Sequence, residues 1–258
     1  MTAPASTAAE SDSAPQAETK PTWYWRLDFD LLRQAAAIRK KDPTDFRSAV
    51  LFFFGFGGRD DGEILRRMRS HPEGKKVLAD RIPLPDAVLR PELLKNLPKD
   101  TLGYQYWAHC RENQLDPLLI STESQKVAST FPATDEHRFV YDRYRDSHDL
   151  WHVLTGYGTD MAGEAGIIGW TYAQLRNRGF FLIFLLNATM CTLRGRPDVF
   201  RTAFRGVRHG KRSPLLLAVD WNRFLDRPID AVRRELGLEV AAAYPVFHMA
   251  DAPGAPPA

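Results

Sequence analysis

His148 and His152 stand four residues apart in the stretch HDLWHVLTGYGTDMAGE, with Asp149 directly after the first and Glu164 separated from the second by eleven residues. On a helix, positions i and i+4 share one face about one turn apart, so both imidazoles reach one ion. Asp149 points to the side of that face. A single straight helix would leave His152 and Glu164 roughly 18 Å apart at 1.5 Å per residue, too far for any ion to bridge. Gly156 and Gly158 bracket Tyr157, however, and glycines break helices. Thr159 or Asp160 then caps a new helix. If that helix doubles back, Glu164, about one turn in, returns to the level of the histidines. The spacing reads as a helix, turn, helix site with two histidines and one or two carboxylate ligands. Such a mixed set suits zinc, iron, manganese or cobalt and does not choose among them. Spacing alone leaves a second reading open, a hydrogen-bonded network of buried imidazoles and carboxylates without an ion. HDLWH also invites comparison with the HExxH of zinc peptidases. Asp149 has a shorter reach than the glutamate base of those enzymes, and the third ligand sits much closer to a tight glycine turn, so a peptidase is disfavoured. Tyr141 and Tyr144 lie upstream on the same face. They either bound a pocket above the ion or are aromatics of the helix surface.

The elements that must hold these residues read as helices, with no internal repeat and no set of alternating strands. The stretch from Glu136 to Thr155 contains no Gly or Pro and predicts one long helix. A second is expected from Thr159 or Asp160 through Gln174. Before them, DFDLLRQAAAIRKKDP predicts a helix closed at Asp42-Pro43, and Thr44 or Asp45 caps the next, DFRSAVLFFFGFGG. Its Phe52, Phe53, Phe54 and Phe56 read as core. DGEILRRMRS predicts a short amphipathic helix, and RIPLPDAVLRPELLKNLP, with its prolines, a string of short helices and loops. TLGYQYWAHCRENQ places Leu102, Tyr106 and Cys110 on one helical face. PLLLAVDWNRFLDRP and IDAVRRELG read as two further helices, the last stopped by Gly237. The fold expected is all-α, a single-domain helical bundle.

The chain has 258 residues, 44% hydrophobic and 26% charged, which suits one large domain or two small ones with a sizeable core. Its 35 basic and 32 acidic residues leave a net charge of +3, too little to argue for nucleic acid. Two distant cysteines, Cys110 and Cys191, offer neither a disulfide framework nor a CxxC knuckle, so a reducing compartment is expected. Residues 1–22 are rich in Ala, Ser, Thr and Pro and read as a disordered tail, and 249–258 as a second one. The first tail lacks the apolar run of a signal peptide and the arginines of a transit peptide. Together with the Ala, Arg and Pro usage this leans towards a bacterial cytoplasmic protein. No segment reaches the roughly 18 apolar residues needed to span a bilayer. The nearest, Gly179 to Leu193, reads first as a buried helix. The alternative is a helix that lines a lipid-tail pocket or dips into a membrane interface.

The pattern His148, Asp149, His152, Glu164 resembles the HDxxHx(11)E signature of the coenzyme Q biosynthesis protein 4 family. YRDSHDLWHVLTGYGTDMAGE as a whole is similar to the family core. HPEGKKVLADRIPL, LPKDTLGYQYWAHCRENQLDP and LLLAVDWNRFLDRPIDAVRRELGLE are similar to its flanks, in the right order from about Asp60 to Glu239. The stretch containing FFLIFLLN is more apolar than the family pattern. The resemblance implies an all-helical domain of ubiquinone biosynthesis over residues 23–248. It implies a divalent metal, zinc first among the candidates, at His148, Asp149, His152 and Glu164. It also implies peripheral association with a membrane (the inner membrane of a bacterium), contact with other ubiquinone biosynthesis proteins, and a homodimer. The activity implied is oxidative decarboxylation of a polyprenyl 4-hydroxybenzoate-derived precursor, in which carbon dioxide leaves the ring carbon and a hydroxyl replaces it. An older view of the family gives it no catalytic step, only a lipid-binding scaffold role.

Such a substrate has an anionic phenolic head and a long polyprenyl tail, so its site needs a cation for the head and an apolar groove for the tail. The metal site is the candidate for the head, with Asp149 and Glu164 as catalytic carboxylates. Asp149 either completes the coordination or orients a histidine and shuttles a proton. Tyr141, Tyr144, Phe180 and Phe184 are candidates for binding the substrate, weighed against a plain core role. Arg194, Arg196, Arg201, Arg205, Arg208, Lys211 and Arg212 follow the apolar run with one acid, Asp198, among them. They are either a solvated face or a patch for anionic lipid head groups. No aromatic platform or reading motif suggests nucleic acid.

Overall fold

The computed structural model describes residues 27–42, 45–57, 62–131 and 133–248. The tails expected at 1–22 and 249–258, and the first residues of the domain expected over 23–248, lie outside the described residues. Among the described residues the chain is all-α, with no strand beyond one isolated bridge between Thr101 and Pro228.

The first two helices, α1 (Phe29–Lys41) and α2 (Phe46–Gly55), pack on each other and are capped by the side chains of Asp28 and Asp45. Phe53 and Phe54 are buried, while Phe52 and Phe56 stack half-buried on each other. Next come α3 (Gly62–Ser70), α4 (Pro72–Ala79), the single turn α5 (Asp86–Leu89) and a 3-10 turn over Pro91–Leu94. Thr101 caps α6 (Leu102–Glu112), whose Leu102, Tyr106 and Cys110 are buried as their spacing requires. Asp116 caps α7 (Pro117–Ala128). The functional segment follows as α8 (Asp135–Asp146), α9 (His148–Thr155) and α10 (Met161–Leu175). Then come α11 (Arg178–Leu193), α12 (Pro197–Arg212) and α13 (Ile229–Leu236), the last stopped by Gly237 in the left-handed region at φ 65°. The most extensive helix contact is between α10 and α12. Their backbones almost touch, because a Cβ on Gly206 would lie 2.0 Å from the Gly166 carbonyl oxygen.

Three expectations need correction. The long helix expected from Glu136 to Thr155 is divided at Ser147. The Ser147 hydroxyl donates to the Arg143 carbonyl at 2.6 Å, the back-bonding that bends a helix, while Trp151 N–H still reaches the Ser147 carbonyl at 3.0 Å. His148 therefore opens a helix of its own. PLLLAVDWNRFLDRP is not a helix. It holds two 3-10 turns, Leu216–Ala218 and Trp221–Arg223, in irregular chain. Five consecutive residues, Leu215 to Val219, are all buried, a pattern that an amphipathic surface helix does not give. Arg143 holds this segment by donating to the carbonyls of Leu217 at 2.8 Å, Val219 at 2.5 Å and Ile82 at 2.9 Å. Finally, α11 is not a buried helix. Phe184, Ala188 and Cys191 face the core, but Leu185 is 43% exposed, Met190 39% and Leu193 78%. No helix among the described residues is long and apolar enough to cross a membrane.

Candidate metal centre

The helix, turn, helix arrangement expected from the spacing is present. Gly156 ends α9 in the left-handed region at φ 79°, its N–H bonded to the His152 carbonyl at 2.8 Å. Asp160 then caps α10, its carboxylate accepting from the N–H groups of Ala162 at 3.0 Å and Gly163 at 3.2 Å. Glu164 sits in the first turn of α10 and returns to the histidines. Its Oε1 is 3.5 Å from His152 Nε2, which is 3.3 Å from His148 Nε2. The candidate ligand atoms of His148, His152 and Glu164 all lie within 4.8 Å of one another.

Two observations test whether these residues fit a metal. Tetrahedral ligands at bonds of about 2.0–2.1 Å are separated by roughly 3.3 Å, close to both separations found here. In addition, His152 Nδ1 lies 2.9 Å from the Tyr157 carbonyl, which only accepts, so Nδ1 carries the proton and Nε2 presents its lone pair to the centre. His152 is buried. A bare lone pair facing a second imidazole nitrogen there calls for a cation or a proton between them. The site fits a metal.

The electrostatics agree. Burial pushes the His148 imidazole down to about 3, with help from His152 and His109, and so keeps it neutral. Burial raises the carboxyls of Asp149 and Glu164, opposed in both by attraction to His152. Asp149 stands outside the group of three. Burial raises Tyr106 and Cys110 of α6, and the Asp149 charge adds to both.

The residues proposed for substrate fall into two separate clusters. Tyr141 and Tyr144 are both buried, so neither is a surface aromatic. They surround Phe53 together with Phe180, with ring centroids 5.0 to 6.1 Å from it. Phe184 packs with Phe204 at 5.3 Å, between α11 and α12. Of the basic residues, Arg194, Arg201, Arg205, Arg208, Lys211 and Arg212 are exposed. Arg196 is not part of that surface, since it pairs with Asp198 at 2.6 Å and covers the Phe247 ring at 4.0 Å.

Sequence reasoning missed two neighbours. His109, on α6, stacks against the His152 ring with centroids 5.6 Å apart and planes 23° apart. Its place three residues after Tyr106 set it on the flank of the buried face, the one signal that pointed to it. Tyr244 comes from the irregular C-terminal stretch. Its hydroxyl accepts from Gly158 N–H at 2.6 Å and lies 3.3 Å from the Asp160 carboxylate. Nothing in AAAYPVF announced that contact.

A family model described as coenzyme Q (ubiquinone) biosynthesis protein Coq4 matches residues 62–242. The chain belongs to the Coq4 family. Curated relatives include the mitochondrial ubiquinone biosynthesis protein COQ4 homologues of Aedes aegypti, 28% identical over 67% of this chain and 62% of the relative, and of Rattus norvegicus, 27% identical over 67% and 63%. The chain thus spans about three-fifths of the length of these Coq4 relatives. A crystal structure titled a putative ubiquinone biosynthesis protein from Nostoc punctiforme PCC 73102 superposes with a TM-score of 0.60 at 21% identity, covering 82% of this chain and 96% of that one. It shows that the two share a fold. The matched range spans His148, Asp149, His152 and Glu164.

Proposed function

We propose that this Coq4-family chain is a metal-dependent enzyme of ubiquinone biosynthesis. Its reaction is the oxidative decarboxylation of a polyprenylated 4-hydroxybenzoate-derived precursor, with oxygen as the oxidant, at the ring carbon that bears the carboxylate. The observation that carries this reading is the convergence of one ring nitrogen each of His148 and His152 and a Glu164 carboxylate oxygen within 4.8 Å, with His152 held in the ligating tautomer by the Tyr157 carbonyl.

His148, His152 and Glu164 would hold the divalent ion, with zinc, iron, manganese or cobalt as candidates. When bound, the ion supplies Lewis acidity to the ring carboxylate and, if redox-active, a route for oxygen chemistry. The residues around it do the rest. The Tyr157 carbonyl orients His152. Asp149, its carboxyl raised by burial, would hold a proton for the reaction. The exposed apolar face of α11 and the basic residues of α12 suit a membrane surface that supplies a prenylated substrate.

That same face favours a second reading, a lipid-binding scaffold that organises other ubiquinone biosynthesis proteins around a structural metal. The two differ over an open ligand position, which an enzyme needs. The test is anaerobic purification with metal analysis, followed by a prenylated 4-hydroxybenzoate and air. Carbon dioxide and a new ring hydroxyl from the native chain, and neither from Glu164→Gln of unchanged fold, are the result expected. Stoichiometric metal without product, and a Glu164→Gln variant that only melts earlier and binds partners less, would leave the scaffold.

A further inference from the structure

His109 is held in one tautomer by a chain of hydrogen bonds that starts in the glycine turn. The Thr159 hydroxyl donates to Asn113 Oδ1 at 2.6 Å, and Asn113 Nδ2 donates to the His109 carbonyl at 2.8 Å. The second contact fixes the orientation of the Asn113 amide, because the His109 carbonyl only accepts, and the Thr159 hydroxyl is free to donate to the oxygen that is left. Its NH2 group therefore also faces His109 Nδ1, at 3.5 Å. A nitrogen that faces a donor is an acceptor, so the ring proton of neutral His109 resides on Nε2. Yet Nε2 is buried and has no hydrogen-bond partner among the described residues. A buried donor without an acceptor is costly, and native proteins keep few of them without a purpose. This one belongs to a ring stacked on His152, one of the three residues that converge on the candidate metal position.

We propose that His109 Nε2–H is a substrate-binding donor, and that its acceptor is an anionic oxygen of the ligand at the metal centre, namely the ring carboxylate of the precursor. The inference rests on the ubiquinone-precursor reading above. It adds a neutral hydrogen-bond donor to a site whose other groups bind the ion. His109 leaves the ion itself to His148, His152 and Glu164, and fixes the plane of the carboxylate beside it. Thr159 and Asn113 act as positioning residues, since they choose the nitrogen that carries the proton.

The test uses the full chain loaded with cobalt(II), whose visible absorption reports metal uptake, and 4-hydroxybenzoate as the probe. His109→Phe keeps a flat ring against His152 and removes the donor. Cobalt uptake should match the native chain, while 4-hydroxybenzoate binds about tenfold more weakly, the effect of losing one hydrogen bond to a charged group. His109→Gln, whose amide nitrogen reaches the place of Nε2, should restore part of that loss. Melting curves check that both variants are folded. Equal 4-hydroxybenzoate affinity in native and His109→Phe protein, with cobalt bound, overturns the proposal. A native chain that takes up no cobalt overturns the metal reading instead. In that case calorimetry of 4-hydroxybenzoate on native and His109→Phe protein still decides whether His109 holds the carboxylate.

Discussion

Burial holds the His109 imidazole down to about 4, with a smaller push from His152, against an ordinary value of 6.5. The unfolded chain therefore binds this proton more readily than the folded one. The contribution of His109 to stability is complete above about pH 6.5 and is lost as the pH falls towards 4. Asp149 and Glu164, raised by burial, act in the opposite sense and persist in any variant that leaves them alone. Comparing metal-free native and His109→Phe protein by urea unfolding isolates the histidine. The native chain should lose stability relative to His109→Phe on going from pH 7 to pH 4.5, and parallel pH profiles would contradict this. The convergence of His148, His152 and Glu164 was legible, because i, i+4 spacing and a glycine turn state where side chains go. His109 was not legible, because a histidine one position from a buried face is usual, and only the stacking on His152 gives it meaning.

At the level of elements, the turn between α9 and α10 sets the height of Glu164 against the histidines. Asp160 is the residue that ties this turn together. Besides capping α10, its carboxylate accepts from Phe247 N–H at 3.0 Å, while the Phe247 carbonyl accepts from Met161 N–H at 2.8 Å. Tyr244 adds its hydroxyl to the same carboxylate and to Gly158. The irregular stretch after α13 thus straps the turn that carries the candidate metal site. Losing the cap costs about 1 kcal/mol, and each strap hydrogen bond a similar amount, so Asp160→Ala should lower stability by roughly 2–3 kcal/mol in urea unfolding. Tyr244→Phe removes only the strap contact of the hydroxyl. It should weaken cobalt(II) affinity more visibly than it lowers the melting temperature, and unchanged cobalt affinity would show that the turn holds Glu164 unaided. The cap was readable because Asp before an apolar helix has a local meaning. The strap was not, since it joins residues more than eighty positions apart. The same limit explains Leu215 to Val219, which look helical until Arg143 is seen to take their carbonyls.

Across the whole molecule, α10 joins the candidate metal centre to the surface formed by α11 and α12. Glu164 opens α10 at one end, and the length of that helix packs against the other two. Arg201, Arg205, Arg208 and Arg212 recur at i, i+4, i+7 and i+11, so they form one exposed stripe along α12. Phe204, 47% exposed, stands between that stripe and the apolar face of α11. Apolar area beside a row of cations is the pattern that seats a helix pair in an anionic membrane interface. A flotation assay with vesicles containing phosphatidylglycerol separates the two contributions. Replacing Arg201, Arg205 and Arg208 by Gln should weaken binding about a hundredfold at low salt, at on the order of 1 kcal/mol per base. That difference should shrink at 0.5 M salt, where exposed charges are screened. Leu185→Glu with Leu193→Glu should reduce binding at both salt concentrations, because apolar insertion does not depend on screening. If the leucine variants float like the native chain, the apolar face of α11 serves another occupant, and the second copy of the chain becomes the one to test by its mass in solution.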